Sequence, residues 1–147
     1  YYMKEICGFN TVTIYDGAEF TNMDIPNIGK TAAIFISQSG ESQDLYRCIK
    51  ICKENNILTI GVINVVDSLI ARETDCGVYL NAGKEFAVAS TKAFSSQIVV
   101  LALISIWFAQ NKNINLITRK KIISCLRRLS LDITNTIEMN KDISMKI

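Results

Sequence analysis

The stretch Thr31-Ala32-Ala33-Ile34-Phe35-Ile36-Ser37-Gln38-Ser39-Gly40-Glu41-Ser42 decides how this chain is read. Its first half is an apolar run without alternation, as expected of a strand covered on both faces. Its second half is a turn dense in hydroxyls. The period then changes. From Ser42 to Asn55, Leu45, Cys48, Ile49 and Cys52 recur at helical spacing, with Lys50, Lys53 and Glu54 off that face. A buried strand, a polar loop and an amphipathic helix in succession make the opening of a β-α-β unit.

Working outward, the alternation continues. Ile57–Val66 is a second apolar β-type run, Ser68–Glu73 fits a short helix, and Cys76–Leu80 a third strand. Asn81–Val88 is a loop containing Gly83. A long helix over Ser90–Gln110 follows, with Ser90 or Thr91 as its expected N-cap. After a polar break at Asn111–Asn115, a weaker helical pattern runs from Leu116 to Asn140. On the N-terminal side, Tyr1–Cys7 is the end of a helix stopped by Gly8. Thr11–Tyr15 is rich in β-formers and predicts a further short strand. Asp16–Lys30 holds the chain's only Pro and is a connection with room for one helical turn. The expected class is α/β: a three-layer, flavodoxin-like arrangement with a parallel sheet and right-handed crossovers.

Composition narrows the function. The chain has 147 residues, 49% hydrophobic and 20% charged, with a formal net charge of +2. It is too apolar and too weakly charged for disorder, and it carries no electrostatic case for nucleic acid. It has no His, so no imidazole acts here as base, acid or metal ligand. Its five Cys show no C-x-x-C spacing and are expected to be buried, reduced and apolar in character, which suits the cytoplasm. No signal peptide is visible. The longest apolar stretch, Ile98–Ala109, falls short of the ~20 residues of a membrane span, so no membrane partner is expected, and Leu101 and Ile104 should be core. The opening Tyr1-Tyr2-Met3 predicts a piece of a longer chain.

In parallel sheets, ligands bind beyond the carboxyl ends of the strands. Ser37, Ser39 and Ser42 supply hydroxyls there, Gln38 an amide, and Gly40 permits close backbone approach. The free N–H groups at the start of the following helix add a positive dipole end, and a phosphate is the natural occupant. There is no G-K-S/T and no G-x-G-x-x-G, so a single phosphate monoester fits better than a nucleotide. The same serines could serve only as caps and turn formers, and both readings stay open. Glu41 would repel a phosphate, so its carboxylate should point away, toward a helix N-terminus or adjacent loop. Ala87-Val88-Ala89-Ser90-Thr91-Lys92 also precedes a helix, with Lys92 able to meet a ligand or Glu85. The charges in Ser68–Asp75 are expected to fix a loop.

The motifs themselves carry a resemblance. Ser37–Ser42 (SQSGES) resembles the SQSGE-T/S phosphate loop of sugar isomerase (SIS) domains. Ile70–Asp75 (IARETD), Asn81-Ala82-Gly83 and Val88–Phe94 (VASTKAF), at these spacings, are similar to the isomerase region of the glutamine–fructose-6-phosphate aminotransferase family. The resemblance is clear over Thr31–Ala109 and implies the first SIS lobe of an enzyme that makes glucosamine 6-phosphate from fructose 6-phosphate and glutamine. It implies phosphate binding by Ser37, Gln38, Ser39 and Ser42, and sugar contact by Val88, Ala89 and Ser90. It also implies that the ring-opening histidine, isomerising glutamate and Schiff-base lysine belong to a second lobe, and glutamine hydrolysis to a further domain. No catalytic residue, metal or cofactor is therefore expected here, and the parent is expected to be a homo-oligomer. On this reading, 1–110 is the SIS domain lacking its first strand and helix, and 111–147 a helical segment leading toward the second lobe.

The family's C-G-T-S motif would lie just before Tyr1. Smaller departures are Ser42 for the usual Thr, Asp67-Ser68-Leu69 for Gly-Ser-Ser, Lys84 for Pro and Phe86-Ala87 for Ile-Gly. The fragment itself is expected to be inactive. Two rivals remain: a non-catalytic SIS module that senses a phosphosugar, and a structural remnant without ligand.

Overall fold

Ala32–Ser37 forms β1, Leu58–Ile63 forms β2 and Cys76–Tyr79 forms β3. They make a parallel sheet in the order β1-β2-β3, with Ser37 opposite Ile63 and Ile63 opposite Tyr79. These strands belong to a computed structural model that describes residues 1–86 and 90–144. The crossovers are α2, Gln43–Glu54, and α3, Leu69–Glu73. The parallel α/β class expected from the alternation is the one observed.

The chain divides into two compact units, Thr13–Ala102 on the one hand and Tyr1–Val12 with Leu103–Ile147 on the other. In the first, α2 presents Cys48, Ile49 and Cys52 to a core shared with Phe35, Ile57, Ile63 and Ile70. Ile60 and Val62, which alternate with Ile63 along β2, are buried as well. The central strand is thus covered on both faces. The flanking strands are not: Ile36 is 40% and Val78 44% exposed. The expectation that Thr31–Ile36 is covered on both faces therefore holds only in part for β1. Asn56, at φ 56°, turns the chain from α2 toward β2. Arg47 donates to the carbonyls of Gly17, Ala18 and Phe20 at 2.8–3.1 Å, which ties the 16–20 turn to α2.

The predicted strand at Thr11–Tyr15 does not form. Among the described residues the sheet is β1-β2-β3, and 11–15 is not one of its strands. Residues that favour a strand cannot make one without a ladder to join, and Ile14 is 93% exposed. The room for one helical turn is used: Asn22–Asp24 is a 3₁₀ turn closed by a Thr21–Asp24 capping box.

In the second unit, α1 (Tyr2–Cys7) ends at Gly8 in the left-handed conformation, φ 60°. Its Ile6 and Cys7 join Ile106, Ala109 and Ile122 in a core. Those partners come from the last part of α4, Thr91–Asn111, and from α5, Leu116–Ser144. Cys7 Sγ donates to the Ser105 carbonyl at 3.2 Å, and Asn115 Nδ2 to that of Ile6 at 2.9 Å.

Leu101 and Ile104 are half-buried rather than core. The positions α4 buries are Ala93, Ala102, Ser105, Ile106 and Ala109, while Phe94, Ile98, Leu103 and Trp107 are half or more exposed. Small residues let a neighbour approach closely, whereas an apolar pattern on every side selects no face. With all 21 residues helical, α4 is long and apolar enough to cross a membrane by length and composition. Its uninterrupted apolar part is shorter, because Lys92, Ser95, Ser96 and Gln97 occupy its first two turns. Of the cysteines, Cys7, Cys48 and Cys52 are buried and free; Cys76 and Cys125 are free but exposed, against expectation.

Candidate functional site

Three loops leave the carboxyl ends of the strands: 37–42 after β1, 64–68 after β2 and 80–86 after β3. The first is built as a donor cradle. Ser37 Oγ accepts the Gly40 N–H at 3.0 Å, and Ser39 Oγ accepts the Glu41 N–H at 3.3 Å. A hydroxyl that accepts from the backbone keeps its own proton to donate elsewhere. Ser42 occupies the N-cap position of α2, where its carbonyl receives the Tyr46 N–H at 3.1 Å. Its side chain makes no capping bond. Ser39 is exposed, and Ser37, Gln38 and Ser42 are half-buried. The four expected phosphate residues therefore share one turn at the start of a 12-residue helix. No Lys or Arg occurs between Thr31 and Tyr46, so the donors are neutral groups and a helix dipole.

Gly40 sets the shape of the turn at φ 70°. A Cβ there would stand 2.6 Å from Ser68 Cβ and 2.9 Å from Ile63 Cγ2. The loop is also fastened sideways. The Gly40 carbonyl receives the Ile70 N–H at 2.9 Å, and Glu41 Oε1 the Leu69 N–H at 3.0 Å. Glu41 thus points at the beginning of α3, a helix N-terminus being one of the two expected directions. Ser68 is 3% exposed, and its Oγ has no hydrogen-bond partner among the described residues.

The third loop is held by two side chains. Asn64, one residue beyond β2, receives the Ala82 N–H at 2.9 Å and donates to the Gly83 carbonyl at 2.8 Å. Sequence reasoning missed Asn64, because a lone Asn after a strand carries no motif. Glu85 takes the Ala93 N–H at 3.1 Å and the Lys92 N–H at 3.5 Å. It thereby serves the α4 N-terminus expected to be capped by Ser90 or Thr91. The Ala93 N–H holds the Glu85 carboxyl below the usual range. Lys92 Nζ goes to the Lys84 carbonyl at 2.7 Å. Ser90 is half-buried, on a loop separate from the cradle, and its carbonyl starts α4 by accepting the Phe94 N–H at 3.3 Å. Val88 and Ala89, expected to contact sugar, lie outside the described residues.

The charges of the Ser68–Asp75 stretch fix structure. Arg72 reaches Asp67 at 3.6 Å, and Glu73 reaches Lys53 at 3.9 Å, all well exposed. Asp75 Oδ2 accepts from Thr59 N at 2.8 Å and Thr59 Oγ1 at 2.7 Å. Those bonds, the backbone one first, lower the Asp75 pKa.

This chain is similar to known proteins over most of its length. The profile of the SIS domain family matches residues 1–106. A probable glutamine–fructose-6-phosphate aminotransferase (isomerizing) of Acanthamoeba polyphaga mimivirus is 49% identical over 105 residues, 71% of this chain and 17% of the relative. The glutamine–fructose-6-phosphate aminotransferase (isomerizing) 1 of Rattus norvegicus is 40% identical over 126 residues, 86% of this chain and 18% of its own. The chain therefore spans less than a fifth of the length of these relatives. Among solved structures, the C-terminal domain of glucosamine-fructose-6-phosphate aminotransferase from Francisella tularensis superposes with a TM-score of 0.84. Its identity is 25%, and the match covers 98% of this chain and 41% of that one. Motif, topology and family profile agree over the same residues, and the chain belongs to the SIS domain family.

Proposed function

We propose that this chain is the sugar-phosphate-binding part of the isomerase region of a glutamine–fructose-6-phosphate aminotransferase, an enzyme that makes glucosamine 6-phosphate from fructose 6-phosphate and glutamine. The observation that carries the reading is the cradle. Ser37 and Ser39 each accept a backbone N–H and keep a proton for a ligand, beside Ser42, whose side chain makes no capping bond at the start of α2. Such a group of donors suits a phosphate monoester. Ser37, Gln38, Ser39 and Ser42 hold the phosphate, and Val88, Ala89 and Ser90 line the sugar.

The chain has no His, and its Glu41 and Glu85 are committed to backbone N–H groups. On the resemblance to the aminotransferases, ring opening and proton transfer belong to a second SIS lobe, and glutamine hydrolysis to a separate domain. On this reading, 1–110 is an SIS domain lacking its first strand and helix, and 111–147 leads toward the second lobe. The parent works in the cytoplasm as a homo-oligomer, and the 147-residue chain alone is inactive. A phosphosugar-sensing module would share the cradle; identity of 49% and 40% to aminotransferases favours the enzyme.

The test is titration of fructose 6-phosphate into the chain and its Ser39→Ala variant, followed by amide NMR. Shifts confined to 37–43 in the wild type and weakened in the variant are expected. An equal absence of response would refute phosphate binding, and glucosamine 6-phosphate formed by the purified chain would refute its inactivity.

A further inference from the structure

We propose that Glu41 is a positioning residue, whose carboxylate locks the phosphate cradle to the start of α3 and so fixes the donors of Ser37–Ser42 for a sugar phosphate. The inference rests on the proposed phosphate role of that loop and says what holds it in shape.

An acid in the middle of a donor loop is unfavourable for an anion-binding site unless its charge is used elsewhere. Here it is used. Helix α3 has Ser68 at its N-cap with no side-chain capping bond, so the Leu69 and Ile70 N–H groups lack a partner from the helix's own start. Both are supplied by the cradle: Glu41 Oε1 for Leu69 at 3.0 Å and the Gly40 carbonyl for Ile70 at 2.9 Å. The buried Ser68 fills the space beside Gly40 that a side chain would need. Cradle and α3 are thereby joined through Gly40 and Glu41 on one side and Ser68, Leu69 and Ile70 on the other. Within the cradle, the bonds from Gly40 to Ser37 and from Glu41 to Ser39 reach back three and two residues. Those local bonds shape the turn but do not attach it to the rest of the molecule.

The bond from Glu41 is charge-assisted, and among the described residues it is the side-chain hydrogen bond that attaches the cradle to α3. Removing it frees the loop at the residue between Gly40 and Ser42, both of which must hold position for the donors to converge. Glu41→Gln keeps an oxygen acceptor at the same reach. Glu41→Asp is one methylene short of Leu69.

The experiment titrates fructose 6-phosphate into the full 147-residue chain by amide NMR, for wild type, Glu41→Ala, Glu41→Asp, Glu41→Gln, Ser39→Ala and Glu73→Ala. Glu73→Ala removes an α3 ion pair away from the cradle and controls for general loosening of that helix. Glu41→Ala and Glu41→Asp are expected to weaken binding by about five- to twentyfold. Glu41→Gln should restore it to within about twofold, and Glu73→Ala should leave it unchanged. Amide exchange at Leu69 should quicken in Glu41→Ala and Glu41→Asp only. If Ser39→Ala weakens binding while Glu41→Ala matches wild type, the positioning role is overturned and the phosphate cradle stands. Loss of binding in Glu41→Gln equal to that in Glu41→Ala overturns the positioning role too, because the carboxylate would then matter for its charge. No response in the wild type overturns both.

Discussion

Asp75 offers the sharpest test of how the sheet is held. Its Oδ2 accepts from the Thr59 N–H at 2.8 Å and from the Thr59 hydroxyl at 2.7 Å. Its own N–H returns to Thr59 Oγ1 at 3.0 Å and to the Thr59 carbonyl at 3.1 Å. Thr59 is fully buried, and the pair joins β2 to the entry of β3. Asp75→Ala leaves a buried N–H and a buried hydroxyl without their acceptor, for which about 2 kcal/mol is reasonable. The carboxylate is exposed, so solvent screening argues against a larger value. Asp75→Asn keeps an oxygen but loses the charge, and should cost about 1 kcal/mol.

The pH dependence has a fixed sign. Thr59 lowers the folded-state pKa of Asp75, so the contribution is present above the unfolded carboxyl value of about 3.9 and lost as pH falls through the folded value. Urea unfolding of wild type and Asp75→Asn at pH 7, 5 and 3 should therefore show a gap in stability that narrows toward pH 3. A gap that stays constant with pH, or an Asp75→Ala variant as stable as wild type, would refute the staple. In that event the RETD stretch would need a role at the ligand instead.

Other outcomes follow from the same packing. Gly40→Ala places a Cβ 2.6 Å from Ser68 Cβ at φ 70° and should cost about 2–4 kcal/mol in urea unfolding. The double variant with Ser68→Gly should recover the steric part alone, and full additivity would show that the contact is not the cause. Burial pushes the Cys52 thiol up to about 11 and raises that of Cys48. At pH 8, therefore, Cys76 and Cys125 should be alkylated first, with Cys48 and Cys52 protected until urea unfolds the chain. Early modification of Cys52 would contradict its place in the core.

The fold was legible where one local signal sufficed and not where a neighbour decided. Leu45, Cys48, Ile49 and Cys52 repeat at helical spacing, and the observed α2 buries the last three of them. Thr11–Tyr15 has equally good local chemistry for a strand, but a strand is a relation between two segments, and 11–15 has no partner in the ladder. Helix α4 fails for a related reason. With apolar residues on every side, its sequence does not choose between Leu101 and Ala102. Burial follows the small side chains, at Ala102, Ser105 and Ala109.

The candidate site divides along the same line. Its candidate donors are adjacent in sequence, so Ser37, Gln38, Ser39 and Ser42 could be read together, and a helix start was one of the two directions expected for Glu41. What holds the neighbouring loops is tertiary. Asn64 reaches 18 and 19 residues ahead to Ala82 and Gly83, and Glu85 reaches forward to Ala93. Neither bond leaves a pattern in the sequence, because any residue able to pair with backbone would serve if the fold brought it there. The two kinds of residue should therefore fail differently. On the proposed phosphate reading, loss of a Ser37 or Ser39 hydroxyl removes a ligand contact along with a local turn bond and should be felt mainly in affinity. Loss of the Asn64 side chain leaves the cradle's donors in place and frees the 82–83 backbone. Its effect should appear first as faster amide exchange at Ala82, and in affinity only if that loop meets the sugar.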